Sequence, residues 1–171
     1  QTLTIQQAID LALQHHTAGD LPKAEGIYQQ ILQADPNQPV ALHLLGLIAH
    51  EVGKNDIAID LITKAISIRP DYAEAHSNLG NVLKDLGNLD GAAASYSMAI
   101  TIKPDSAEVH SNLGAVFKDL GQLDEALASF NMAIAVKPDH VEAHSNLGVV
   151  LQDLGSFNEA ISSYQNALTI N

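Results

Sequence analysis

Ala75-His76-Ser77-Asn78-Leu79-Gly80 returns as Val109-His110-Ser111-Asn112-Leu113-Gly114 and again as Ala143-His144-Ser145-Asn146-Leu147-Gly148, each copy 34 residues after the last. The same interval separates Pro36, Pro70, Pro104 and Pro138. It also separates Gly19, Gly53, Gly87, Gly121 and Gly155, and the alanines at 24, 58, 92, 126 and 160 keep step. A fixed period of this length marks a repeat array in which each unit is one supersecondary element.

Within one unit, residues 71–104, the pattern reads helix, turn, helix. Asp71 follows Pro70 and is an N-cap candidate, with Glu74 three residues on to complete a capping box. Leu79, Val82, Leu83 and Leu86 form an apolar stripe at helical spacing. Gly87 supplies the backbone freedom of a tight reversal. Asp90 is the candidate cap of the second helix, which runs through Ala92, Tyr96, Ala99 and Ile100 to Ile102. Pro104 stops it, because a proline there cannot continue the hydrogen-bond ladder. Gly80, Ala92 and Ala99 are small enough to let helices approach closely, while Leu79, Leu83 and Tyr96 fill the space between.

Composition agrees. Apolar residues make up 46% of the 171, but aromatics only 4% with no Trp, so the core must be built mainly from Ala, Leu, Ile and Val. The net charge is −12, from 20 acidic and 8 basic side chains. A field of that sign repels phosphate backbones and anionic membranes, so neither nucleic acid nor membrane is an expected partner. A basic or neutral polypeptide is the easier expectation. With no Cys, disulfides, thiolate metal sites and a cysteine nucleophile are excluded. No leader peptide and no stretch of about 18 apolar residues is visible, which favours the cytoplasm without establishing it. The chain starts at Gln1, and the expectation is that the true start lies just upstream.

The 34-residue unit resembles the tetratricopeptide repeat, whose pattern is Trp-x2-Leu-Gly-x2-Tyr followed by Ala, Phe/Tyr, Ala and Pro. The third unit supplies His76, Leu79, Gly80, Leu83, Ala92, Tyr96, Ala99 and Pro104. The fourth supplies His110, Leu113, Gly114, Phe117, Ala126, Phe130, Ala133 and Pro138, and the fifth His144, Leu147, Gly148, Leu151, Ala160, Tyr164 and Ala167. The second unit keeps Leu42, Leu45, Gly46, Ala58, Ala65 and Pro70. The first is weakest, with Leu11, Ala24, Tyr28 and Pro36. The Trp position holds His, Leu or Ala. The resemblance implies an all-α, right-handed superhelical solenoid: one array with units at about 5–38, 39–72, 73–106, 107–140 and 141–171. It specifies fold and leaves function open.

In such an array the first helix of each hairpin lines the concave side. One column of that side holds Asp10, Leu44, Asn78, Asn112 and Asn146. Successive asparagines would rise by roughly 10 Å, the distance between packed helices. An Asn amide donates to a carbonyl and accepts from an N–H, so it can clamp an extended peptide by its backbone. The plainer alternative is that these amides bond to neighbouring backbone or water. Asn81, close to Asn78, belongs to the same candidate set. Glu74, Glu108 and Glu142 form an acidic column that capping would explain. Asp85, Asp119 and Asp153 lie late in their helices, where the dipole disfavours an anion; they either receive a Lys or Arg of a ligand or are simply solvated. With Glu, Ser and Asn at the groove positions and few cations, a clamp for a terminal carboxylate is not expected.

The His-Ser-Asn-Leu-Gly motif is similar to the repeat region of O-linked N-acetylglucosamine transferases and their bacterial relatives. That resemblance implies that Asn78, Asn112 and Asn146 contact protein substrates. It implies no transferase activity here, because the family's catalytic domain is not in this chain.

Other chemistry has little support. His76, His110 and His144 recur once per hairpin, about 10 Å apart, too far to share an ion with bonds of about 2 Å. They stand where the repeat places its packing Trp. His43 and His50 are two turns apart, too far for direct chelation. No phosphate loop, His-Glu-x-x-His or Gly-x-Ser-x-Gly appears, so neither a cofactor nor a catalytic role is expected. In the last unit, Ile161, Tyr164, Leu168 and Ile170 should present an apolar side. Either the chain is a segment of a longer protein or self-association buries that side, which makes a homo-oligomer the alternative to peptide binding.

Overall fold

The computed structural model describes residues 3–170. Among them are ten α-helices: α1 (Ile5–Thr17), α2 (Leu21–Ala34), α3 (Pro39–Glu51), α4 (Asn55–Ile68), α5 (Ala73–Asp85), α6 (Leu89–Ile102), α7 (Ala107–Asp119), α8 (Leu123–Val136), α9 (Val141–Asp153) and α10 (Phe157–Ile170). No described residue lies in a strand, and no helix is long and apolar enough to cross a membrane. The chain divides into two compact units, Gln1–Val82 and Leu83–Asn171.

The alternation of helix and turn has a local cause. In the turn after α7, Gly121 takes φ +74°, a conformation L side chains rarely adopt. Gly121 N donates to Lys118 O at 2.9 Å and Gln122 N to Phe117 O at 2.8 Å. These two bonds satisfy carbonyls the helix end leaves open and reverse the chain into α8. At the other end of α7, Ser106 Oγ accepts from Val109 N at 3.4 Å.

Two capping expectations are corrected. α5 begins at Ala73, so Asp71 stands one residue outside the cap position; its backbone carbonyl accepts from Ala73 N at 3.1 Å. Asp90 lies in the first turn of α6 and Asn88 is the cap, its Oδ1 accepting from Gly91 N at 3.1 Å. The turn at Gly87 brings α6 in sooner than an Asp90 cap suggests, whereas the turn at Pro70 brings α5 in one residue later than an Asp71 cap suggests.

In the first unit, α1 packs on α2 and α3 on α4. One core cluster joins Ile9, Ala12, Ala24, Tyr28, Ile31, Ala41 and Ile48. A second joins Ala49, Ala58, Ile62, Tyr72, Ala75 and Val82. In the second unit, Ala92, Tyr96, Ala99, Val109, Leu113 and Val116 form one cluster, and Ala126, Phe130, Ala133, Ala143, Leu147 and Val150 belong to another. Small residues set the separation of paired helices. A Cβ placed on Gly114 would lie 2.9 Å from Phe130 Cδ1, closer than real contacts allow.

The Tyr28 ring is fully buried and its hydroxyl has no hydrogen-bond partner among the described residues. Burial pushes this phenol up to about 12. An unsatisfied buried hydroxyl costs about 1–3 kcal/mol, and Phe130 shows that the equivalent seat accepts a plain phenyl ring. Tyr28→Phe should therefore stabilise the protein by about 1 kcal/mol. A fall in the urea midpoint would show that the hydroxyl is satisfied in solution.

Candidate functional site

In the first unit the candidate asparagines Asn78 and Asn81 lie on α5, both half-buried. Asn78 is tied into a relay. Its Nδ2 lies 2.8 Å from His43 Nε2, and its Oδ1 accepts from Asn81 Nδ2 at 3.3 Å. The other ring nitrogen, His43 Nδ1, lies 2.9 Å from Tyr72 Oη. With Asn78 as donor, the imidazole takes the tautomer protonated at Nδ1 and donates to the tyrosine. The two rings meet edge to face at 4.8 Å, and the Arg69 guanidinium stacks 3.5 Å over the Tyr72 ring. His43 is only 3% exposed. Burial is the main reason its pKa falls from 6.5 to about 4; Glu74 opposes the shift and Arg69 adds to it.

In the second unit Asn112 lies on α7 and Asn146 on α9, again half-buried. Asn112 lines an open cleft of about 710 Å³ together with Lys103, Ser106, Glu108, Lys137 and Glu142. The acidic column assigned to capping, Glu108 and Glu142, therefore faces the cleft. Asp119 and Asp153 do not line it. They are exposed final residues of α7 and α9, and 13-residue helices place them roughly 18 Å from the cleft end. Asp85 is the exposed last residue of α5. It is one of the charges, with Glu108, that raise the Tyr96 phenol further, after burial itself.

The recurrent histidines do more than fill the Trp position. His76, His110 and His144 are all buried, and each points Nε2 at the carbonyl of the proline six residues before it. The contacts are 3.0 Å to Pro70, 2.9 Å to Pro104 and 2.9 Å to Pro138. The ring N–H satisfies a carbonyl that the proline turn leaves without a helical donor. The equal six-residue spacing of Pro and His was the available signal. His43 belongs to another position altogether, where the three later repeats have Ser77, Ser111 and Ser145 and the first has Ile9. That departure from the pattern marks the relay. The Ser111 hydroxyl, by contrast, is buried without a partner among the described residues.

On α10, Ile161 and Leu168 are 54% and 76% exposed, with Ile170 less so and Tyr164 half-buried. Phe157 at the start of the helix is also exposed. Their counterparts 34 residues earlier, Leu123, Leu127 and Ile134, are partly buried against the cluster that includes α9 residues.

Helices joined by left-handed glycine turns, with an asparagine on the first helix of each of the last three repeats, define an all-α helical-hairpin repeat scaffold. A family model described as TPR repeat matches residues 48–87, 80–121 and 116–155, and one described as tetratricopeptide repeat matches 141–171. The chain belongs to the tetratricopeptide-repeat family, the fold class its sequence resembles. A search of the curated proteins found no match. Among solved structures, the chain is similar to a crystal structure of MamA at 26% identity, with 93% of each chain covered and a TM-score of 0.86. MamA 41-end from Desulfovibrio magneticus RS-1 matches at 17% identity, covering 97% of this chain and 94% of that one, with a TM-score of 0.86. YrrB, described as a TPR protein with an unusual peptide-binding site, matches at 23% identity, 98% and 87% coverage, and a TM-score of 0.81.

Proposed function

We propose that this chain is a protein-interaction module that binds an extended polypeptide in the concave groove expected of its repeats, as the recruiting or scaffolding segment of a longer protein. The observation that carries this reading is the placement of Asn112 in an open polar cleft of about 710 Å³, on the helix type that bears an Asn in each of the last three repeats. Asn78 and Asn81 in the first unit, and Asn112 and Asn146 in the second, hold the ligand backbone. Glu108 and Glu142 in the cleft, with Asp85, Asp119 and Asp153 at the helix ends, favour basic side chains. The net charge of −12 acts in the same direction. A peptide-binding relative of the same fold is consistent with it. The His-Ser-Asn-Leu-Gly resemblance makes a glycosyltransferase one candidate for the activity such a segment would serve.

The test uses a fluorescent Gly-Lys repeat peptide and its Gly-Glu counterpart. The Lys peptide should bind more tightly and lose affinity with added salt. The Asn112→Ala, Asn146→Ala double variant should weaken it by roughly 10-fold, about 1.4 kcal/mol for two lost side-chain contacts. Equal affinity of wild type and double variant would sink the proposal.

The α10 face favours a second reading, self-assembly through Ile161, Tyr164, Leu168 and Ile170. Ile161 and Leu168 are exposed where their equivalents on α8, Leu127 and Ile134, are partly covered, and the helix carries no charge after Glu159 to oppose a like-charged copy. Light scattering over a concentration series should then show growth in mass that Leu168→Glu abolishes. A constant monomer mass at every concentration removes this reading.

A further inference from the structure

We propose that His43 is a positioning residue that holds the Asn78 amide in one orientation for ligand binding, through a relay anchored on Tyr72. This rests on Asn78 being a groove contact, as proposed above. An Asn side chain can make four hydrogen bonds, two from Nδ2 and two to Oδ1. His43 occupies one donor and Asn81 one acceptor site. One N–H and one lone-pair direction remain, which is what a peptide unit needs for its C=O and N–H.

The anchor behind Asn78 is rigid. The His43 ring is buried, bonded through Nδ1 to Tyr72 Oη, and set edge to face against the tyrosine at an interplanar angle of 73°. Tyr72 is itself buried and capped by Arg69. Neither ring can turn without opening the core cluster of α3, α4 and α5 that holds Tyr72. An amide so held has already lost its rotamer freedom, and immobilising a side chain before binding is worth roughly 2- to 10-fold in affinity. At the equivalent of His43 the later repeats carry serine, which has no imidazole to hold an amide, and the Ser111 hydroxyl has no partner among the described residues.

The experiment uses the full chain, the Gly-Lys repeat peptide and the side-chain amide signals of Asn78 by NMR. His43→Phe keeps a ring against Tyr72 but removes both nitrogens. His43→Gln places an amide oxygen near the position of Nε2. We expect His43→Phe to weaken binding roughly 2- to 10-fold, with the Asn78 amide protons moving to the shifts of a freely rotating side chain. His43→Gln should recover both. Unchanged affinity and unchanged Asn78 shifts in His43→Phe, while the Asn112 and Asn146 variant still binds weakly, would overturn this inference alone. If wild type itself fails to bind, or ignores the Asn112 and Asn146 changes, the groove reading falls and this inference with it. Should His43→Phe not fold, Tyr72→Phe removes only the distal anchor. Loss of the fixed Asn78 shifts and weaker binding then support the relay, and their persistence overturns it.

Discussion

Phe130→Ala is expected to destabilise the protein by about 3–5 kcal/mol, the range for truncating a buried aromatic. The upper part of that range is the better expectation here. The ring is fully buried, and its neighbours include Ala126, Ala133 and Ala143, with Gly114 directly beneath it. Such short side chains cannot lean into the space a phenyl ring leaves, so the cavity persists and its cost adds to the lost transfer energy. Closing it would need Leu147, Val150 or Leu151 of the same cluster to leave its packed position, or a helix to move as a body. Phe130→Leu should cost far less because most of the volume is kept. Urea denaturation gives both values. A loss below about 1 kcal/mol for the alanine variant would mean that the hairpin collapses freely and that Phe130 does not set the helix separation.

The second large effect is acid sensitivity through His43. In the unfolded chain this imidazole binds a proton near pH 6.5, whereas in the fold burial delays binding to about pH 4. Between those values the unfolded state holds more protons, so stability rises with pH across the window. The contribution is fully present above pH 6.5 and is lost as pH falls towards 4. A shift of that size corresponds to about 3 kcal/mol. Carboxylates titrate in the same range, so the informative quantity is a difference. Urea midpoints of wild type and His43→Phe, compared at pH 7.5 and 4, should show a pH dependence smaller by about 3 kcal/mol in the variant. Equal pH dependence would mean that His43 is protonated as easily in the fold as in the unfolded chain.

These two residues were not equally legible. Phe130 stands at a position where the 34-residue period puts Tyr96 and Tyr164, so its packing role follows from pattern. His43 breaks the pattern, and sequence spacing paired it with His50. In the structure His50 instead bonds Asn55 through Nδ1, at 2.8 Å to Oδ1, while His43 bonds a tyrosine 29 residues ahead and an asparagine 35 ahead. Contacts of that separation depend on how α3 meets the turn before α5, which no local periodicity encodes. The cap residues were missed for a smaller reason. A shift of one residue at Asp71 and of two at Asp90 in where a helix starts is decided by the turn that feeds it.

The same distinction runs through the candidate site. Period, turn glycines, small-residue columns and the choice of which helix bears the asparagines are local and repeated, so 171 letters were enough to determine an all-α hairpin repeat and the helices that bear its asparagines. Tertiary structure alone decided the state of each amide. Asn78 bonds His43 and Asn81, and Asn112 lines a cleft with Glu108 and Glu142. Identical letters in identical repeat positions differ because a side chain's hydrogen bonds are set by neighbours from other helices, and those neighbours are where the repeats diverge.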